Sequence, residues 1–209
     1  MHQLRTGDAA TLELGCGRSK APAPDPDATI QVGVDRLPLT DERGAIVPDI
    51  LWPLEVMPWA FAESDSCRYV MMHQTLEHLP DIIGTINEVW RVLDDDGWAE
   101  IIVPHYKSVG AHQDPTHVHT LAPETWRYFE PGFVSTFSDY GTRGHFVRGF
   151  VGWVEEGNIV AILKAMKTPA HYDAWKEAEP DESGIRHPFT VPPALWQRLE
   201  KHQFLGAAD

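Results

Sequence analysis

The stretch TLELGCGRSKAPAPDPD, residues 11–27, decides the fold. Thr11 to Gly15 is a short apolar run that ends on a glycine, the pattern of a buried strand opening into a tight turn. In a nucleotide-binding α/β domain that turn launches a long helix. Here the chain runs instead into Pro22, Pro24 and Pro26. Proline has no N–H to give and its ring clashes with the preceding turn, so no helix passes through the three. The sequence therefore predicts a loop where the first helix would stand.

Working outward, IQVGVD (30–35) is a second β-branched run ending in an acid, AIVPDILW (45–52) a weaker third strand, and CRYVMMHQT (67–75) a fourth. Residues 81–94 place Ile82, Ile83, Ile86, Val89, Trp90 and Leu93 on one helical face, with Gly97 just beyond. A fifth strand follows at 98–106, WAEIIVPHY. This order implies βαβ units and an α/β, Rossmann-like, mostly parallel sheet whose helix after strand one is shortened or absent. Beyond it come a His-rich loop, a short helix at PETWRYF (123–129), and the runs HFVRGFVGWVE and NIVAILKAMK flanking a turn at Glu156-Gly157. The last two read as an antiparallel C-terminal hairpin closing one edge of the sheet. The Pro-rich, acidic segment 168–192 reads as a surface excursion, followed by a terminal helix near 193–203. The whole, 1–209, is expected to be one domain: a cofactor-binding core at 11–106, then an acceptor-side loop, hairpin and extension at 107–209.

The formal charge of −14, from 17 Lys and Arg against 31 Asp and Glu, repels phosphate backbones and anionic membranes, so nucleic acid is a disfavoured partner. Two cysteines without a CxxC spacing are the usage of a reducing compartment, and the cytoplasm is the expected location. No apolar run approaches a membrane span, and the first ten residues hold no signal-peptide stretch.

Two cofactor classes compete for the glycine turn. A dinucleotide needs GxGxxG, with a third glycine for close packing and a helix N-terminus facing pyrophosphate. Counted from Gly15 and Gly17, the third position is Lys20, and the helix is missing. S-adenosylmethionine carries no phosphate, and needs a backbone turn, an acid for its ribose hydroxyls and surroundings that tolerate a cationic sulfonium. Glu13 precedes the turn, and Asp35 ends strand two 18 residues beyond Gly17. The bland reading is that the glycines only make a turn and Asp35 only caps a loop.

At LELGCGRSK, VGVD, MPWAF, MMHQTLEHLPD, INEVWRVLDDDGWAEIIVPHY and DPTH the sequence resembles a small class I S-adenosylmethionine-dependent methyltransferase of the type 11 kind, over roughly 11–130. The resemblance implies that Glu13, Gly15, Cys16 and Gly17 line the methionine end of the cofactor, that Asp35 holds the ribose, and that His73 and Gln74 lie beside the cofactor at the end of strand four. Such families often carry an acid after strand three; here Trp52, Pro53 and Leu54 occupy that region, so adenine contact would come from Leu54, a Trp face or backbone. Where KPGG often follows the long helix, this chain has DDDG, and Asp94, Asp95 and Asp96 read as a solvated acidic surface at a helix C-terminus, a position where anions are disfavoured. The C-terminal third matches no family pattern.

Methyl transfer to oxygen or nitrogen needs a positioned acceptor and, for some acceptors, a base near neutral pH. His105 ends strand five; His112, Asp114, His117 and His119 follow, and Glu77 and His78 lie after strand four. Both stretches are expected at the same cleft, with His78, His105 and His117 as candidate catalytic residues. Three readings of the His loop stay open: a base and polar acceptor site, a metal site built on HxD and HxH, and a structural turn at Asp114-Pro115. No residue is assigned as a metal ligand. Trp52, Trp59, Trp126, Tyr128 and Phe129 would wall an aromatic pocket or, at such spacings, form core. The reading is a methyltransferase for a small, medium-sized or glycan-like acceptor. Its competitors are a catalytically silent cofactor-binding subunit and a metal-dependent enzyme.

Overall fold

The computed structural model describes residues 3–24, 29–154, 157–182, 184–200 and 204–207. Eight strands form one sheet: β1 (Ala10–Leu14), β2 (Gln31–Asp35), β3 (Ile50–Leu51), β4 (Cys67–His73), β5 (Leu93–Pro104), β6 (Phe146–Val154), β7 (Asn158–Ala165) and β8 (Phe204–Ala207). Their order is β3-β2-β1-β4-β5-β7-β6-β8. The first five run parallel, and β7, β6 and β8 are added antiparallel. The fold is thus α/β and Rossmann-like, with the expected antiparallel C-terminal pair. Glu156 of its turn lies outside the described residues. The hairpin does not end the sheet, because β8 pairs with β6 beyond it.

Helix α1 (Ile82–Val92) is the one long crossover helix among the described residues. Asp81 caps it by accepting from the Gly84 amide at 2.8 Å, and Ile86, Val89 and Val92 are buried beneath it. Full burial of each such side chain is worth about 1.5–3 kcal/mol, which is what fixes the helix on the sheet. It stops at Val92, earlier than its apolar pattern predicts. Leu93 is fully buried, adopts extended backbone and already pairs with Cys67, so β5 starts where the helix ends. Gly97 therefore lies inside β5 and does not end the helix.

That early start also corrects the reading of Asp94, whereas Asp95 and Asp96 are exposed as expected. Asp94 is buried and paired with Arg68 at 2.9 Å, and Asp96 reaches the same guanidinium at 3.3 Å. They tie the start of β5 to β4; an acid that would weaken a helix end is serviceable at a strand start beside an arginine.

The two faces of the sheet are covered differently. Leu12, Leu14, Val32, Val34, Val70, Met72, Ile101 and Val103 belong to the main core on the α1 side. On the opposite face, α5 (Pro193–Leu199) packs Leu195 and Leu199 against Trp98, Val160 and Ile162. Beside it the proline loop, described through Pro24, lies over β1 and β2; Pro26 is outside the described residues. Residues 15–24 contain no helix. The loop is held by polar contacts: Ala21 donates its amide to Glu13 at 2.9 Å, Gln31 donates to the Ala21 carbonyl, and Arg198 of α5 donates to the Pro22 carbonyl at 2.7 Å. Gly33 in β2 makes room for it, since a Cβ there would stand 2.8 Å from the Lys20 side chain and 2.9 Å from Cys16 Sγ.

The surface excursion contains α4 (Pro169–Glu177), started by Thr168, which accepts from the His171 amide. Between α1 and α4 lie the short helices α2 (Gly110–Gln113) and α3 (Pro131–Phe137), and the segment 123–129 is helical but of the tighter 3-10 kind. Trp59, Trp126 and Phe129 are core residues, whereas Trp52 is partly exposed.

Candidate functional site

Strands β1 to β4 end at one edge, and the order reverses at β1, which has β2 on one side and β4 on the other. Open α/β sheets bind ligands in the crevice at such a switch point. Here the crevice is a cavity of about 300 Å³ lined by Gly15, Asp35, Trp52, Leu54, Gln74 and His78, among others.

Its floor follows from local chemistry. Gly15 has φ +71°, and a Cβ on it would stand 2.2 Å from Thr75 Oγ1, so the turn after β1 approaches the loop after β4 as only glycine permits. Gly17, at φ +60°, donates its amide to Asp35 Oδ2 at 3.0 Å, while Leu37 donates to Oδ1 at 3.0 Å. The carboxylate is thereby aimed from both sides at the cavity mouth. Gln74 holds φ +50°, uncommon for a residue with a side chain, and strain of this kind concentrates at ligand sites. Its amide donates to the Ile102 carbonyl and its side chain to Asn158, so β5 and β7 enforce the conformation. Trp52 and Leu54 form an apolar wall beside Asp35, with the indole N–H donating to the Val56 carbonyl at 2.9 Å.

Of the residues expected at the cofactor, Gly15, Asp35 and Gln74 line this cavity and Gly17 orients Asp35. The other three do not line it: Glu13 lies under the proline loop, Cys16 lies within that loop against β2, and His73 is on the same face of the sheet as Glu13. Glu13 is buried and accepts from Ala21; burial raises its pKa, against the pull of that amide and of His73, Arg198 and Lys20. Cys16 is buried against Gly33, its amide donates to the Val34 carbonyl, and burial together with Glu13 and Asp35 pushes its thiol up to about 12. His73 bonds Glu100 at 2.7 Å on the α5 face. Strand alternation explains the split: Glu13 and His73 point to the face that α5 and the loop cover. Sequence spacing names the strand ends but does not say which side of the sheet the loop occupies.

The His residues also separate. His105 is buried, stacked on Trp153 with ring centroids 4.1 Å apart, and its Nδ1 accepts from the Lys107 amide. Burial and Lys107 lower its pKa, and it does not line the cavity. His78 does line it, with Thr116. The loop carrying His117 is drawn there because the Val118 and His119 amides both donate to the Glu77 carbonyl, at 2.9 and 3.2 Å. The Asp114-Pro115 turn expected from sequence is present, with the Thr116 amide and hydroxyl both donating to Asp114 Oδ1. It carries His117 onto His78, ring centroids 4.7 Å apart, and to 4.0 Å from Glu77 Oε1. Glu77 is 1% exposed, and burial pushes its pKa up to about 7. The sequence places Glu77 with His78 at the same cleft as the His loop; that Glu77 Oε1 stands opposite His117 Nε2 follows only from the fold.

No protein-family model matches the chain, and no curated protein matches it either. Solved structures do. A SAM dependent methyltransferase from Archaeoglobus fulgidus superposes with TM-score 0.51 at 16% identity, over 76% of this chain and 87% of that one. A protein from Bacillus halodurans described as a methyltransferase gives TM-score 0.50 at 14% identity, over 76% and 93%. A structure from Haloferax volcanii, a methyltransferase complexed with the Trm112 methyltransferase activator, gives 0.51 at 14%, over 78% and 84%. The chain shares the fold of these class I methyltransferases. No described helix is long and apolar enough to cross a membrane.

Proposed function

We propose that this chain is an S-adenosylmethionine-dependent methyltransferase that acts on oxygen or nitrogen of a small or medium-sized acceptor. The observation that carries the reading is the cavity at the β1–β4 switch point, with the Gly15 turn on one side and the aimed Asp35 carboxylate on another. The residues fit the cofactor's parts. Asp35 keeps lone pairs for two ribose hydroxyls while its geometry is held by Gly17 and Leu37. Trp52 and Leu54 offer an apolar slot for adenine, in place of the acid that related folds often use. Gly15 and Gln74 present backbone to the amino-acid end. The described residues of the loop after β1 supply no helix N-terminus for a pyrophosphate, which favours a cofactor without phosphate.

When bound, the cofactor supplies an electrophilic methyl group on a sulfonium. The chain's share of the work is to hold the acceptor in line and to exclude water. His78 and Thr116 border the cavity, with His117 and Glu77 behind them, and this cluster is the polar wall that would orient the acceptor and handle its proton. His105, stacked on Trp153, has no part in this reading. The net charge of −14 favours neutral or cationic acceptors over nucleic acid.

Calorimetry with S-adenosylmethionine and with its demethylated product tests the cofactor; no heat of binding at millimolar ligand would remove the proposal. Cofactor turnover on a panel of hydroxyl and amine acceptors, lost in His117→Ala while cofactor binding persists, separates an enzyme from a silent cofactor-binding subunit.

A further inference from the structure

We propose that Glu77, His78 and His117 form a site for a divalent transition metal of the zinc class, opening onto the cavity through His78, with Asp114 at its rim. The ligand atoms of the three residues lie within 4.8 Å of one another. Bonds of about 2.0–2.2 Å in a tetrahedral site place ligand atoms roughly 3.3 Å apart, so side-chain shifts of about 1 Å close the set.

The independent observation is Glu77 itself. It is 1% exposed, and apart from its own backbone amide neither carboxylate oxygen has a hydrogen-bond partner. A buried carboxyl group so poorly satisfied is costly, and the group facing it is His117 Nε2 at 4.0 Å, too far for a hydrogen bond. A cation between them resolves both.

The imidazoles are held as metal ligands are held. His117 Nδ1 lies 3.3 Å from the Ala111 carbonyl, a contact that protonates Nδ1 and leaves the lone pair on Nε2, the atom that faces Glu77 and, at 3.9 Å, Asp114 Oδ2. His78 Nδ1 is engaged by the Thr116 carbonyl at 3.3 Å and hydroxyl at 3.0 Å, which leaves its Nε2 for a ligand. Outer partners of this kind fix tautomer and ring orientation at metal sites. Two imidazoles and one carboxylate leave a coordination position vacant for an exogenous oxygen. The motifs HxD and HxH suggested a metal within the loop, but His112 bonds the Tyr106 carbonyl and His119 the Pro80 carbonyl. The set formed by Glu77, His78 and His117 instead joins the loop to the residues after β4.

The test uses the full chain after treatment with a chelator, titrated with Co(II) and followed by its visible absorption, with Zn(II) as competitor. One equivalent is expected, with affinity reduced at least 100-fold in Glu77→Gln and in His117→Ala and unchanged in His119→Ala. Absence of saturable binding by the wild-type chain up to millimolar Co(II), or wild-type affinity in both ligand variants, would overturn the site. Far-UV circular dichroism on each variant keeps loss of the fold apart from loss of the ligand. Calorimetry with S-adenosylmethionine on the same metal-free samples reads the methyltransferase proposal separately, so either can fail alone.

Discussion

Replacing Arg198 with methionine keeps the aliphatic stem and removes a guanidinium that works in two directions. Nε and Nη2 each donate to the Glu100 carboxylate at 2.7 Å, and Nη1 donates to the Pro22 carbonyl at 2.7 Å. Glu100 is 4% exposed. Burial alone would raise its pKa, but hydrogen bonds and charge from His73 and Arg198 outweigh it and bring the carboxyl down to about 2. Measured from the ordinary 4.5, that is a stabilisation of about 3 kcal/mol at neutral pH, at 1.36 kcal/mol per unit. Breaking one side of a buried pair costs about 3–5 kcal/mol by general experience, which agrees. For a chain of this length the expected fall in Tm is about 6–12 °C.

The sign with pH follows from a depressed acid. The stabilisation is present above the unfolded value and is lost as pH falls toward 2, so the gap between wild type and Arg198→Met is largest near pH 7 and less than half as large at pH 3. Urea denaturation followed by tryptophan fluorescence at both pH values measures it. A double variant, Glu100→Gln with Arg198→Met, removes the stranded charge and is expected to recover part of the loss. Amide hydrogen exchange across 16–24 should accelerate in Arg198→Met, because the clamp on the proline loop is gone. A gap under about 1 kcal/mol at pH 7, or one that does not change with pH, would refute the reasoning that Glu100 is held ionised by Arg198.

Three further outcomes are expected. Gly15→Ala should cost at least about 2 kcal/mol in urea denaturation, since it combines φ +71° with a Cβ 2.2 Å from Thr75 Oγ1; pairing it with Thr75→Ala should return part of that loss but not the backbone strain. Asp35→Ala should weaken S-adenosylmethionine about 10-fold or more by calorimetry, at roughly 1.5–3 kcal/mol for each hydrogen bond to a charged group, and unchanged affinity would remove Asp35 from the ribose role. Glu88→Ala should destabilise the chain by about 2–4 kcal/mol in thermal denaturation, because its buried carboxylate accepts from the Trp59 amide at 2.8 Å and pairs with Arg91 at 2.9 Å, joining α1 to the loop before β4.

The local sequence determined a good deal. Apolar runs ending in Gly15 and Asp35, the helical face from Ile82 to Val92, and prolines that forbid a helix after β1 are properties of consecutive residues, and sterics and burial act on them wherever the chain lies. The glycine turn and the acid that ends β2 were legible for the same reason: backbone sign and strand-end position are encoded nearby. What the tertiary structure decided depends on residues far apart in sequence. Glu13 and His73 look like cofactor neighbours by position, but strand parity turns them to the face where α5 and the proline loop lie, and Arg198, 98 residues from Glu100, completes that arrangement. His105 sits next to the His loop in sequence but is captured by Trp153 on β6. Glu77 and His117 become partners only because two amides of the loop dock on the Glu77 carbonyl. Hydrogen-bond satisfaction of that loop selects which of its histidines meets His78 and Glu77, and it is a property of the folded surroundings that spacing along the chain does not carry.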